Sequence, residues 1–342
     1  MAANSTASSL LPIASADSPP EKVEKQFRGT AISKAGAYAA ISYMSCAVFL
    51  VLFNKAALSS YSFPCANVIT LCQIIFSCCL LYVLRRLRLI SFSSNESGAL
   101  TDSYNTFVSM KTLITTSPVS LTYFIYMIAS MEAVRGVSVP MYTTIRRTTV
   151  VFTMVFEYVF MKQRYTLPVL GSVVIILLGA FVAGGNDMSF DSKGYLVVVL
   201  ANISTALYLT VVARIGISSG LNCFGLMWCN GVLCGPVLLL LTFLQGEIET
   251  TMNFPNLFSP GFLTVLLLSC MLAFFLNYTV FLNTTQNSAL TQTICGNLKD
   301  FFTIGFGWVI FGGLPFDVMN VTGQLVCFVG SGMYAYFKFT GK

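Results

Sequence analysis

Histidine is absent from all 342 residues. With it go the commonest metal ligand and the commonest general base. Charge is scarce too: Asp, Glu, Lys and Arg make up 9% of the chain, against roughly 25% in soluble domains. The eleven cysteines form no C-x-x-C pair and lie mostly inside apolar runs such as "FSCCLL", so they read as small packing residues rather than a disulfide framework. There is no D-x-D motif. A membrane-embedded glycosyl- or phosphotransferase would need paired acids for metal or base work, so enzymatic catalysis is not expected, nor is a cofactor or a metal. The N-terminal "MAANSTASSLLPIASADSPPEKVEKQFRGT" lacks the basic segment and long apolar run of a cleaved signal. Its Ala, Ser and Pro, followed by charges, read as a short disordered cytosolic tail.

What is present is apolar length. Hydrophobic residues make up 56% of the chain and mean hydropathy is +0.77, more apolar surface than a soluble protein of this size could cover. Such a chain is expected to be an all-α polytopic membrane protein. A bilayer core of about 30 Å needs roughly 20 apolar residues per helix. That ruler marks ten spans, near Gly36–Ala57, Pro64–Leu84, Pro118–Gly136, Val139–Met161, Leu167–Gly184, Tyr195–Ala213, Cys223–Leu244, Gly261–Leu282, Ser288–Gly312 and Val318–Phe337.

Loop charge sets the orientation. With the N-terminus cytosolic, that side holds thirteen of the nineteen cations: Lys22, Lys25, Arg28, Lys34, Arg85, Arg86, Arg88, Lys111, Lys162, Arg164, Arg214, Lys338 and Lys342. The other side holds Lys193 alone and gathers Asp187, Asp191, Glu247, Glu249 and Asp317. Both termini are therefore expected in the cytosol. Ten spans make two sets of five, and an odd number per half inverts the second half, the transporter design of inverted repeats. The expected organisation is a tail over 1–33, repeats over 34–185 and 186–338, and a cytosolic end over 339–342. A faint internal echo supports it. "RRTTVVFTMVFEYVFM" in span four aligns with "GNLKDFFTIGFGWVIFG" in span nine, so that Phe152, Thr153, Phe156 and Val159 meet Phe302, Thr303, Phe306 and Val309.

Five cations, Lys55, Arg135, Arg146, Arg147 and Lys299, fall inside spans with the acids Glu132, Glu157 and Asp300. Inserting each costs about 2.5–3.5 kcal/mol, and the surplus of +2 suits an anion of about two negative charges, such as a sugar nucleotide or a phosphate monoester. In span nine Gln292, Gly296, Lys299 and Thr303 fall on one helical stripe. In span four Tyr142, Arg146, Thr149, Thr153 and Glu157 form another. Other readings stay open. Glu132 and Arg135 could simply neutralise each other, Glu157 could pair with an arginine, and Lys55 could snorkel from the lumenal end of span one. Adjacent helical residues point about 100° apart, which leaves Lys299 expected to be available to a ligand despite Asp300. The glycines of "GFGWVIFGG" read as packing contacts. None of the Asn-x-Ser/Thr sites, at Asn4, Asn95, Asn202, Asn277, Asn283 and Asn320, reads as a glycosylation signal.

The runs "MEAVRGVSVPMYTTIRRTTVVFTMVFEY" and "TICGNLKDFF" resemble the nucleotide-sugar transporters of the drug/metabolite transporter superfamily, over nearly all of the chain beyond the tail. The likeness is nearest to the UDP-sugar branch, especially plant-type carriers of UDP-N-acetylglucosamine and UDP-N-acetylgalactosamine. It implies a ten-helix inverted-repeat fold in a Golgi or ER membrane, exchanging cytosolic nucleotide sugar for lumenal UMP. GDP-mannose carriers bear G-A-L-N-K in helix nine and F-Y-N-N in helix seven. Here the matching residues are Gly296, Asn297, Leu298, Lys299 and Asp300, and Trp228, Cys229, Asn230 and Gly231. The displaced lysine and the lost asparagine argue against guanine.

By this resemblance Lys299 and either Arg146 or Arg147 contact phosphate. Gly296 and Asn297 shape the pocket floor, Asn230 meets the nucleotide, and Gln292 senses base or sugar. Asn54 and Lys55, near the lumenal end of span one, complete the candidate set. The expected partners are a UDP-sugar, UMP and the lipid bilayer, with no nucleic acid; a homodimer is left open. Carriage of another nucleotide sugar (UDP-glucuronic acid, UDP-galactose or a GDP-sugar) or of phosphorylated sugars is the alternative.

Overall fold

The computed structural model describes residues 32–55, 61, 63–92, 108–136, 139–184, 192–311 and 318–341. Their regular elements are helices: α1 Lys34–Lys55, α2 Ala66–Arg86, α3 Met110–Gly136, α4 Val139–Arg146, α5 Thr149–Met161, α6 Leu167–Gly184, α7 Ser192–Ser218, α8 Cys223–Leu244, α9 Glu247–Met252, α10 Pro260–Gln286, α11 Ala289–Phe311 and α12 Val318–Thr340. Seven of them, α1, α2, α3, α6, α7, α8 and α10, are long and apolar enough to cross a membrane. Large apolar side chains such as Ile41, Phe181, Leu196, Leu240, Phe275 and Val329 stand exposed on the outside. That surface suits hydrocarbon rather than water, so the chain is a multi-pass membrane protein.

Most expected spans differ from the observed helices by a few residues at their ends, and two differ in kind. Span three was expected to open at Pro118, but α3 begins at Met110 and carries Pro118 inside it. Proline has no N–H for the carbonyl of Ile114. The hydroxyl of Ser117 donates to that carbonyl at 2.8 Å instead. Span four, expected as one helix, breaks after Arg146. Thr148 donates to the carbonyl of Ile145 at 2.7 Å and Thr149 to that of Arg146 at 2.5 Å, drawing both away from the helical ladder. Asn202 of α7, wholly buried, completes the break by donating to Ile145 O at 2.8 Å and to Thr148 Oγ1 at 3.1 Å. Its sequon is thus an internal strut.

The helices pair in a regular pattern. α6 packs along α12, α3 along α7 and α1 along α10; α5 meets α7 as α11 meets α1; α2 meets α10 as α3 meets α8; and α2–α8 and α5–α11 complete the set. The α6–α12 seam is the tightest. A Cβ added to Gly323 would stand 2.3 Å from Ala183 N, and one on Gly179 would stand 2.7 Å from Cys327 N, so these glycines let backbone meet backbone. Gly305, from the run read as packing glycines, faces open space instead. All eleven cysteines are unbridged, and six are buried.

One end of the bundle is tied by polar contacts. The carboxylate of Glu157, 0% exposed, accepts from the amides of Ala289 at 2.6 Å and Leu290 at 3.2 Å and from the Tyr165 hydroxyl at 2.5 Å. It thereby caps the N-terminus of α11, where unpaired amides favour an anion. Beside it, Asn287 donates to Gly36 O at 2.9 Å and Thr291 bonds Tyr334 at 2.8 Å.

Candidate functional site

The bundle encloses a cavity of about 370 Å³, within the range of small-molecule sites, roughly 300–1,000 Å³. Its walls come from α1, α3, α4, α5, α7, α10 and α11. Six of the nine candidate residues line it: Asn54, Arg146, Gln292, Gly296, Asn297 and Lys299.

Arg146 is the last residue of α4, placed at the wall by the break that follows it. Its Nη1 donates to Tyr142 Oη at 3.1 Å and Ser130 Oγ at 3.3 Å. Its Cζ stands 5.7 Å from the ring centres of both Tyr126 and Tyr142. A cation held over two ring faces in this way is a cation–π arrangement, which arginine makes more often than lysine. The break also puts Thr149, the first residue of α5, on the cavity wall. Arg147 does not line the cavity. It is 3% exposed and reaches Cys327 of α12, which is geometry for holding the bundle together.

On α11, Gln292, Gly296 and Lys299 share the expected stripe into the cavity, while Thr303 is turned to its own helix, donating to Lys299 O at 3.0 Å. Lys299 is not unpartnered as expected. Its Nζ lies 2.7 Å from Asp300 Oδ1, and Asp300 lines the cavity too. Neighbouring Cα–Cβ bonds diverge by about 100°, but four methylenes carry the ammonium back to the carboxylate. Asn297 is 8% exposed and its Nδ2 has no hydrogen-bond acceptor among the described residues, so it presents a buried donor at the cavity wall. Gln292 accepts from Asn283 Nδ2 at 2.5 Å. Asn54 accepts from Ser269 Oγ at 2.6 Å and Gln73 Nε2 at 3.2 Å, tying α1 to α10 and α2.

Asn230 lies one wall away. It lines a recess of about 30 Å³ with Ser77, Cys78 and Gly231, and this recess shares Tyr123 and Asn277 with the main cavity. A Cβ on Gly231 would stand 2.5 Å from Cys78 Sγ, which explains why a second asparagine has no room there. The side chain of Lys55, the last residue of α1, lies outside the described residues, as does that of Arg135. Glu132 is exposed and does not line the cavity.

Reading the sequence missed the aromatic wall. Tyr126 and Tyr208 stack at 5.7 Å with an interplanar angle of 4°, and Tyr123 meets Tyr208 edge-on at 5.4 Å. Tyr43 stands across from Gly296, its hydroxyl 3.6 Å from where a Cβ would be. A signal was available: tyrosines recur mid-span, where a hydroxyl calls for a polar partner.

An amphipathic, aromatic-walled chamber inside a membrane bundle, reached by the cations Arg146 and Lys299 among the described residues, is the anatomy of a solute carrier for anions. The chain belongs to the triose-phosphate transporter family, which it matches over residues 33–335; it is a transporter and not an enzyme. It is 64% identical to the UDP-N-acetylglucosamine transporter UGNT1 of Arabidopsis thaliana over 93% of this chain and 92% of that one. It is 31% identical to the UDP-galactose/UDP-glucose transporter 7 of Arabidopsis thaliana over 89% of this chain and 90% of the other. The mouse nucleotide sugar transporter SLC35D2 is 27% identical over 89% of each chain. A crystal structure with 12% identity superposes with a TM-score of 0.59 over 87% of this chain and 98% of its own, a likeness of fold alone.

Proposed function

We propose that this protein carries UDP-N-acetylglucosamine or UDP-N-acetylgalactosamine from the cytosol into the Golgi or ER lumen in exchange for UMP. The observation that carries the reading is the convergence of Arg146, from α4, and Lys299, from α11, on one aromatic-walled cavity. Two cations fit a pyrophosphate through charge-assisted hydrogen bonds, and tyrosine faces fit a planar base. The 64% identity to a transporter named for UDP-N-acetylglucosamine supports that cargo. Lys299, Arg146, Gly296, Asn297, Gln292 and Asn54 form the proposed site. Asn230 reaches the nucleotide through the side recess, Arg147 braces the bundle, and Lys55 remains a candidate from sequence alone.

The carrier has ten spans in this reading: the seven long apolar helices, the broken α4–α5 pair, α11 and α12. They form two inverted repeats of five with both termini in the cytosol. Support comes from the pairing of the helices. Exchanging each span for the one five places on turns α3–α7 into α10–α1, α5–α7 into α11–α1 and α2–α10 into α8–α3, and leaves α6–α12, α2–α8 and α5–α11 in place. With the positive side cytosolic, the Glu157 cap and the Asn287–Gly36 bond close the cytosolic end. Exchange then follows by rocking of the halves about the cavity.

The test is counterflow in liposomes with a panel of UDP-, GDP- and CMP-sugars. The expected result is uptake of UDP-N-acetylglucosamine driven by internal UMP and competed by UDP-sugars. Equal uptake without internal UMP would sink the exchange, and equal competition by GDP-sugars would sink the cargo.

A further inference from the structure

Among the described residues, Arg146 and Lys299 face the cavity and Asp300 is the acid in its lining, so these residues carry a surplus of one positive charge. Asp300 is committed to Lys299 at 2.7 Å, with both side chains partly accessible. Its field also reaches Arg146, Tyr142 and Tyr43 around the same cavity. Arg146, in contrast, is held by neutral groups, the hydroxyls of Tyr142 and Ser130. The two cations therefore wait for an anion in different ways, one with a neutral cradle and one with a carboxylate already on it.

We propose that Asp300 is an internal counter-ion that occupies Lys299 when the carrier is empty and yields it to the phosphate of the cargo. The assignment rests on the function proposed above and deepens it. A carboxylate on Lys299 has two effects. It competes with the incoming phosphate, which weakens binding of cargo and lets product leave. It also offsets one of the two positive charges that the described residues bring to the cavity, lowering the cost of turning an unloaded carrier through the low-dielectric bundle. Asp300 thereby sets how strictly inward flux is tied to outward flux.

The experiment uses the full chain in liposomes and compares wild type with Asp300→Asn. Two quantities are read: the KM for UDP-N-acetylglucosamine, and the ratio of net UMP efflux to UMP exchange. Asp300→Asn is expected to lower KM roughly fivefold, the size of removing one like charge about 4 Å from the phosphate across a water-filled cavity, and to lower the ratio of net efflux to exchange. A second pair keeps the outcome decisive should that variant fold poorly. Lys299→Gln leaves the carboxylate alone in the cavity and should lose UMP affinity, and Lys299→Gln with Asp300→Asn should regain part of it. A KM that rises in Asp300→Asn, an unchanged flux ratio, or no regain in the double variant would reduce Asp300 to a support for the Lys299 side chain and overturn the assignment. Absence of exchange in the wild type would instead overturn the cargo on which it rests.

Discussion

In the proposed site, single residues divide into those that would hold cargo and those that hold the bundle. Arg146 and Arg147 are neighbours with opposite duties, one on the cavity wall and one against α12. Arg146→Ala should cut UDP-sugar uptake by about tenfold or more, the loss of a charge-assisted hydrogen bond worth roughly 1.5–3 kcal/mol, with the unfolding temperature little changed. Arg147→Ala should do the reverse in a thermal melt paired with uptake by the folded fraction. Gly296→Ala separates space from packing. A methyl there makes only ordinary contact with Tyr43, so the protein should fold normally while KM rises because the cavity is smaller. A fall in unfolding temperature with unchanged KM would refute that. At this scale the sequence was only partly informative. The Gln292–Gly296–Lys299 stripe was legible because helical period fixes direction. The Lys299–Asp300 pair was not, since a backbone angle says nothing of where a flexible lysine ends.

Among the elements, the runs that became long helices were legible because bilayer length and apolar composition leave few alternatives. α6 and α8 run over the very residues marked from sequence. The break between α4 and α5 was hidden because it depends on Asn202, fifty-seven positions after Ile145. The threonines around it look like ordinary helical residues until that partner arrives. Glu157 was ambiguous for the same reason, as its amide partners are Ala289 and Leu290 on another helix. Glu157→Gln should cost about 1–3 kcal/mol by weakening a buried charged cap, read as a lower unfolding temperature and faster amide exchange at Ala289 and Leu290. Unchanged exchange there would remove the cap from the account.

For the whole molecule, the proposed rocking cycle requires that closure of the end held by Glu157 be undone in each turnover. Thr153 of α5 and Thr293 of α11 touch at 3.1 Å between Oγ1 atoms near that end. Thr153→Cys with Thr293→Cys should therefore oxidise to a bridge that halts exchange until reductant is added, whereas each single variant stays active. Exchange that continues through the oxidised pair would mean that these helices keep their contact throughout transport.

The glycine seam of α6 and α12 carries a consequence of its own. Neither helix supplies a residue to the cavity, and their backbones meet where Gly179 and Gly323 leave no room for a methyl. If the proposed halves rock about the cavity they need a fulcrum, and a close backbone crossing remote from that cavity is suited to be one. Damage there would appear as slow turnover with cargo affinity intact: a carrier that still grips UDP-sugar but pivots poorly.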